Sequence, residues 1–418
     1  MALDNAAKIF PAAKRRNWSN VFRLAATLKE EVDVDILKKT LDVTVERFPS
    51  IAVRVRAGFF WYYIEEVPHA PKIMDEKPYP LSRMPFDDIR KCAFRVIVYK
   101  KRIAVEFFHA LTDGNGGLIF LKTLVAEYIL QKYGVFVPCG DGILDRREAP
   151  RAEELEDSFI KNAGPVPFSR KDTDAFRIKG DREVDGFKTN TMFIFDADEV
   201  VKKAKEKGIT VTAYLTAAFI IAAKRVQDNT VKNKKKHKPI KVLVPVNLRK
   251  MFASETLRNF ILYAMTGIDP RLGEYTFDEL CEIVHHQMQL AITKKNMAAM
   301  IATNVKDEKP LAIRMVPLFL KNIIMKMIFD AVGERKSCFS FSNLGVCKTP
   351  EEFSRFVDRI EFIIGVQASA PYNLSAISYN GKLNLSVIRN IDKPLLEYEL
   401  ANVFREIGIT PTLESNIR

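Results

Sequence analysis

His109, Asp113 and Gly114 stand in the run Phe107-Phe108-His109-Ala110-Leu111-Thr112-Asp113-Gly114, a His-x-x-x-Asp-Gly spacing. An apolar stretch, Ile103 to Phe108, precedes it, and a glycine-rich turn (Gly114, Gly116, Gly117) leads into a helical pattern from Leu118 to Tyr133. This order puts one imidazole at the end of a strand and one carboxylate a short loop later. A neutral, held imidazole is a general base that can take a proton from an alcohol or an amine. Asp-Gly is also ordinary turn chemistry, so the motif draws its weight from the strand before it and the helix after it.

Other residue groups carry less chemistry. Cys281 and His285 have helical metal-ligand spacing, as does the neighbouring His286, but no third ligand pattern accompanies them, and no metal is expected. The five cysteines (Cys92, Cys139, Cys281, Cys338, Cys347) are odd in number and form no C-x-x-C pair. That predicts a reducing, cytoplasmic setting without disulfides or structural zinc.

A length of 418 residues suits two domains of about 200 residues each. With 47% apolar and 28% charged residues, the composition is that of a folded soluble protein, and no apolar run reaches transmembrane length. Lys14, Arg15 and Arg16 are followed by no apolar core, so a secretion signal is not expected. A net charge of +13 favours anionic partners: nucleic acid, membrane surfaces, phosphorylated small molecules or acidic carrier domains. The densest basic run, Lys232 to Lys238, falls between a helix and a strand and reads as a solvated loop. No helix-turn-helix, zinc-finger or RNA-binding strand pattern is present, so nucleic acid is not an expected partner.

The elements that must position the motif follow from periodicity. Val21 to Leu28 reads as a strand, and Asp33 to Phe48 as a helix with Leu37, Leu41, Val45 and Phe48 on one face. Ile51–Arg56 and Phe59–Glu65 form a hairpin, and Phe94–Tyr99 and Ile103–Phe108 a second strand pair. A stretch rich in Pro, Gly and charge, 138–174, connects two halves, 1–175 and 176–418. The second half mixes strands (Thr191–Phe195, Ile240–Val246, Phe260–Ile268, Ser337–Leu344, Ile360–Gln367) with helices, including an apolar one from Thr212 to Gln227. A hairpin turns at Asn380-Gly381, and Pro394 to Ile407 forms a closing helix. Hairpins beside crossovers predict an α/β fold with mixed sheets. The segment Leu311 to Val332 is very apolar and reads first as a buried core helix. The alternatives are the lining of an apolar acyl or alcohol site, or peripheral contact with a membrane.

Taken together, these segments resemble the chloramphenicol-acetyltransferase-like superfamily of HxxxDG acyltransferases. The nearest group is that of bacterial alcohol acetyltransferases, wax-ester synthases and condensation domains. The resemblance rests on the opening strand, helix and hairpin with Arg47-Phe48-Pro49, and on the run from His109 to Gly114. It is supported by Val246-Asn247-Leu248-Arg249 and by Ser340-Phe341-Ser342-Asn343-Leu344-Gly345. One departure is Phe108, where many relatives carry a second histidine, which argues mildly against a condensation-domain role.

The resemblance implies two similar α/β lobes with an active-site tunnel between them, entered by an acyl thioester from one face and an acceptor from the other. His109 would be the catalytic base, with no covalent acyl-enzyme. Asp113 would pair with an arginine, assigned to Arg249, to shape the loop, and Gly114 would supply the turn. The oxyanion donor would be Ser342 or Asn343, with Ser340 behind them. The implied co-substrate is acyl-CoA or an acyl carrier protein, with no permanently bound cofactor; the basic balance suits either. The implied reaction is O-acylation of a small alcohol by a monomer. The alternatives are N-acylation of an amine from a carrier-bound thioester, or a catalytically idle binding protein of the same fold.

Overall fold

A computed structural model of the chain describes residues 1–5, 7–13, 20–164, 173–306, 315–328, 335–367 and 370–417. The strands of the first half are β1 (Val21–Leu28), β2 (Val53–Ala57), β3 (Tyr62–Glu66), β4 (Met74–Asp75), β5 (Phe94–Tyr99) and β6 (Arg102–Phe108). Those of the second are β7 (Thr189–Asp196), β8 (Ile240–Asn247), β9 (Ile261–Ile268), β10 (Phe339–Val346), β11 (Val357–Ile364), β12 (Tyr372–Tyr379), β13 (Lys382–Arg389) and β14 (Thr412–Ser415).

Two mixed sheets and one hairpin result. The first sheet runs β11-β1-β6-β5-β4, the second β14-β7-β13-β12-β10-β8-β9, and β2-β3 is the hairpin. β10 lies parallel to both β8 and β12, whereas β1 is antiparallel to both its neighbours. The architecture is the mixed α/β arrangement that hairpins and crossovers predict.

The halves 1–175 and 176–418 do not each own a sheet, because β11 leaves the second half and pairs with β1. A strand's own alternation states which face is buried but not which sheet it joins; that is settled by long-range packing. β11 remains tied to the second lobe: Ser375 Oγ donates to Phe362 O at 2.7 Å, and Asn384 Nδ2 to Ile360 O at 3.1 Å.

The helix Gly114–Tyr133 lies on the first sheet and is buried along most of its length. Gly117 permits this approach, since a Cβ there would stand 2.9 Å from Phe22 Cε2 and 3.1 Å from Phe107 Cε2. The helix ends at Gly134, whose φ of 68° few other residues tolerate and whose N–H caps Leu130 O. Beneath it, Phe107 packs on Phe22, Phe94 and Phe120 with ring centroids 5.2, 6.1 and 5.7 Å apart. In the second lobe the buried helix Val211–Thr230 starts at Thr210, whose hydroxyl caps Ala213 N, and it sets Phe219 against Phe341 of β10.

Part of the connecting stretch packs onto the first lobe. Glu154, on the short helix Ala152–Leu155, is buried and receives a fork from Arg47, Nη1 to Oε2 at 2.6 Å and Nη2 to Oε1 at 2.8 Å. That places Arg47, just before Phe48-Pro49, in the packing between connector and first lobe.

Candidate active site

His109 follows the last residue of β6, and its N–H donates to Asn20 O at 2.9 Å. Two aromatic rings hold the imidazole: Phe10 stacks on it at 4.6 Å and 18°, and Phe22 meets it edge-on at 5.2 Å. Nδ1 lies 3.1 Å from Asn259 Oδ1. An amide oxygen can only accept, so Nδ1 carries the hydrogen and Nε2 keeps its lone pair. Nε2 has no hydrogen-bond partner among the described residues, and the side chain is partly exposed. Burial lowers the pKa of His109 below its ordinary 6.5, opposed in part by its own backbone carbonyl, the charge of Asp113 and the Asn259 amide. Burial thus favours the neutral imidazole, with Nε2 unbonded among the described residues.

Asp113 is fully buried and bonds away from that nitrogen. Oδ1 caps the helix Gly114–Tyr133, accepting from Asn115 N at 3.1 Å and Gly116 N at 3.2 Å. Oδ2 accepts from Phe260 N at 2.9 Å and faces Arg249 Nη2 at 2.9 Å. The Arg249 guanidinium also donates to Thr256 O at 2.8 Å, Arg258 O at 2.6 Å and Asn247 Oδ1 at 3.2 Å. The loop 247–260 thus wraps one arginine and presents it to one carboxylate.

Further contacts lock the two motifs together. Thr112 Oγ1 donates to Leu257 O at 2.6 Å. A Cβ on Gly116 would stand 2.3 Å from that carbonyl oxygen, so only glycine fits. Leu257 N in turn donates to Glu154 O at 2.8 Å, and Thr256 Oγ1 to Glu156 O at 2.8 Å. At Gly114 a Cβ would meet Leu344 Cδ2 at 2.9 Å and Phe362 Cζ at 3.1 Å. The residues following β10's Asn343 and those of β11 therefore close on the turn after His109.

The three oxyanion candidates on β10 differ in their surroundings. Asn343 Nδ2 donates to Thr212 Oγ1 at 3.1 Å, and its Oδ1 accepts from Gly345 N at 2.8 Å, so its amide is engaged with the helix Val211–Thr230 and the local turn. Ser340 is buried, and its Oγ accepts from Gln367 Nε2 at 3.0 Å. Ser342, opposite Ser375 of β12, is partly exposed, and its hydroxyl has no hydrogen-bond partner among the described residues. Of the three, Ser342 keeps a donor to offer.

Residues of the N-terminal segment and Asn259 also surround the imidazole, although no sequence motif marks them. Asp4 Oδ2 lies 3.5 Å from Asn259 Nδ2, on the far side of the amide from His109, and Phe10 is the ring stacked on the imidazole. Leu3, Ala7 and Phe10 recur at helical spacing, a signal that was available in the sequence.

The apolar segment requires a correction. Its described helix, Leu318–Ile328, is not buried in the core: Phe319, Ile323 and Met327 are 65%, 56% and 60% exposed. The inward face instead carries Lys321, whose Nζ sits 3.6 Å over the Trp61 ring and donates to Phe60 O, and Asn322, which donates to Tyr62 Oη. Apolar content alone does not say which face turns inward. Residues 311–314 and 329–332 of that segment lie outside the described residues. Lys234–Lys236 form an exposed turn. The five cysteines are free, and no group of three His, Cys, Asp or Glu among the described residues could hold a metal ion. No single described helix is long and apolar enough to cross a membrane.

No known family profile matches the chain, and no curated protein does. Solved structures do. Trichothecene 15-O-acetyltransferase (TRI3) of Fusarium sporotrichioides matches with a TM-score of 0.61 at 13% identity, over 97% of this chain and 94% of that one. TRI101 of F. sporotrichioides, solved with coenzyme A and T-2, matches with a TM-score of 0.61 at 11% identity over 100% of both chains. The first condensation domain of the CDA synthetase matches with a TM-score of 0.61 at 11% identity, over 97% of this chain and 96% of that one. With its two mixed-sheet lobes meeting at His109, the chain has the condensation-domain, chloramphenicol-acetyltransferase-like fold.

Proposed function

We propose that this chain is an acyltransferase that moves an acyl group from a coenzyme A thioester to an alcohol hydroxyl, with His109 as general base. The observation that carries the reading is the setting of His109: Nδ1 within hydrogen-bond distance of Asn259 Oδ1, Nε2 without a partner among the described residues, and a buried environment that favours the neutral ring. The names of its fold relatives support the chemistry, one an O-acetyltransferase and another solved with coenzyme A.

The proposed reaction is a single addition and elimination. Nε2 takes the hydroxyl proton as the acceptor oxygen attacks the thioester carbonyl. The developing oxyanion accepts from Ser342 Oγ–H. Collapse breaks the C–S bond, and the departing thiolate recovers the proton from the imidazolium, leaving an ester, a free thiol and neutral His109. Asp113 and Arg249 shape the loop and take no proton. Acyl donor and acceptor reach Nε2 through the space between the lobes. Phe10, Phe22 and Phe362 around the ring and its turn favour apolar substrate groups. One chain supplies every residue of this scheme, so a monomer suffices.

An amine could use the same base, from coenzyme A or from a carrier-protein thioester. Mass spectrometry of products from acyl-CoA mixed with paired alcohols and amines tests the choice. Esters are the expected product; amides alone would replace O-acylation with N-acylation, and neither would refute the enzyme reading for coenzyme A donors.

A further inference from the structure

We propose that the N-terminal segment is part of the catalytic centre: Asp4 orients the Asn259 amide, Asn259 thereby sets the tautomer of His109, and Phe10 closes over the ring. Asp4 and Asn259 are positioning residues in this scheme, which rests on His109 being the base.

The geometry forms a short chain of bonds. Asp4 is 1% exposed and Asn259 2%. Asp4 Oδ1 accepts from Ala7 N at 2.6 Å, which accounts for one oxygen as a local cap. The other oxygen faces Asn259 Nδ2 at 3.5 Å and Arg258 Nε at 3.7 Å, neither of which belongs to the N-terminal segment. A primary amide can turn either its oxygen or its NH2 toward a neighbour, and the two orientations have opposite consequences. Once Asp4 is ionised, above about pH 7, Oδ2 can only accept; it draws the NH2 toward Asp4, and the amide oxygen must then point at His109 Nδ1. The hydrogen is held on Nδ1 and the lone pair stays on Nε2. Were the amide reversed, its NH2 would face Nδ1 and favour the hydrogen on Nε2, against the pull of the ring's own backbone carbonyl, and the basic nitrogen on the open side would be lost in proportion.

The segment is pinned well enough to do this. Met1 N donates to Ile64 O at 2.8 Å, Arg258 Nη2 to Ala2 O at 2.7 Å, and Asn5 N to Asp157 Oδ2 at 2.9 Å. Leu3 and Ala7 are buried in the first-lobe core. These ties reach the hairpin β2-β3, the connector and the loop 247–260, so the segment spans the parts that must stay in register around the imidazole.

The test reads the tautomer directly. Protein labelled with 15N-histidine is compared by NMR as wild type, Asp4→Asn and Asn259→Ala, with His109→Ala to assign the signal. Asp4→Asn is isosteric and keeps an acceptor for Ala7 N; circular dichroism confirms that each variant is folded. At about pH 8, where Asp4 is ionised, the wild type is expected to show Nδ1 protonated, and both variants to show a mixture or the Nε2–H form. Turnover with acyl-CoA should fall tenfold or more in kcat in both variants, while KM for acyl-CoA stays within about twofold. An unchanged tautomer in both folded variants overturns the proposal, whatever happens to kcat. If wild type itself transfers no acyl group, the acyltransferase reading fails, and the tautomer spectra still decide whether Asp4 and Asn259 govern the ring.

Discussion

Asp113 Oδ2 and Arg249 Nη2 face each other at 2.9 Å, buried between the turn after His109 and the loop that precedes β9. The second Asp113 oxygen caps the helix Gly114–Tyr133, so the carboxylate binds two segments from different lobes and none of its bonds goes to His109 Nε2. Asp113→Asn removes the charge and leaves Arg249 without its counter-ion. Breaking one side of a buried pair costs about 3–5 kcal/mol. Denaturant unfolding should show a loss of that order, with turnover falling as the loop loosens. A variant as stable and as active as wild type would contradict the role given to the pair.

The pH profile of turnover follows from the state of the imidazole. Burial keeps the pKa of His109 below 6.5, so the base form persists into mildly acidic solution. The acid limb of log kcat/KM should carry the imidazole's inflection below pH 6.5, with a further fall near 7 as Asp4 takes up its proton. In Asp4→Asn only the inflection below 6.5 should remain; an imidazole inflection above 6.5 in that variant would mean that burial does not govern the ring.

Asp4 makes stability depend on pH in the opposite direction from most carboxylates. Burial raises its pKa from 3.8 to about 7, with Asp157 adding to the shift and Arg258 opposing it. Between those values the folded chain holds a proton that the unfolded chain has lost. Its contribution is complete below 3.8 and is lost as pH rises toward about 7. The unfolding free energy of wild type relative to Asp4→Asn should therefore fall as pH rises, by roughly 1 kcal/mol per pH unit. A difference that is flat or rises across that range would show that Asp4 is ionised in the fold.

The outward stripe of the helix Leu318–Ile328 also has a measurable consequence. Buried Phe and Ile cost several kcal/mol on truncation, whereas exposed positions change stability by about 0.5 kcal/mol or less. Phe319→Ser and Ile323→Ser should fall in the second class in chemical denaturation. A loss of several kcal/mol would place both side chains in a core.

Much of this site was legible because its residues announce themselves locally. His109 ends an apolar strand, Asp113 precedes a helix, and Gly114, Gly116 and Gly117 occupy places where a Cβ would collide with neighbours. The fold class followed from hairpins beside crossovers. What stayed hidden depends on distance in space. Nothing around Val357–Ile364 states that this strand crosses to the first sheet, and nothing around Asn259 or Asp4 states that they meet, 255 positions apart, behind one imidazole. The helix Leu318–Ile328 misled for a related reason: its apolar content was plain, but the inward face is chosen by Trp61 and Tyr62, which lie far away in the chain.

The most direct test of His109 as base is free-thiol release from acetyl-, octanoyl- and palmitoyl-CoA with a panel of alcohols, comparing wild type with His109→Ala. Alcohol-dependent release that disappears in a variant with unchanged circular dichroism is the predicted result. Equal release from wild type and a folded His109→Ala, or none from wild type with any pair, would contradict the account.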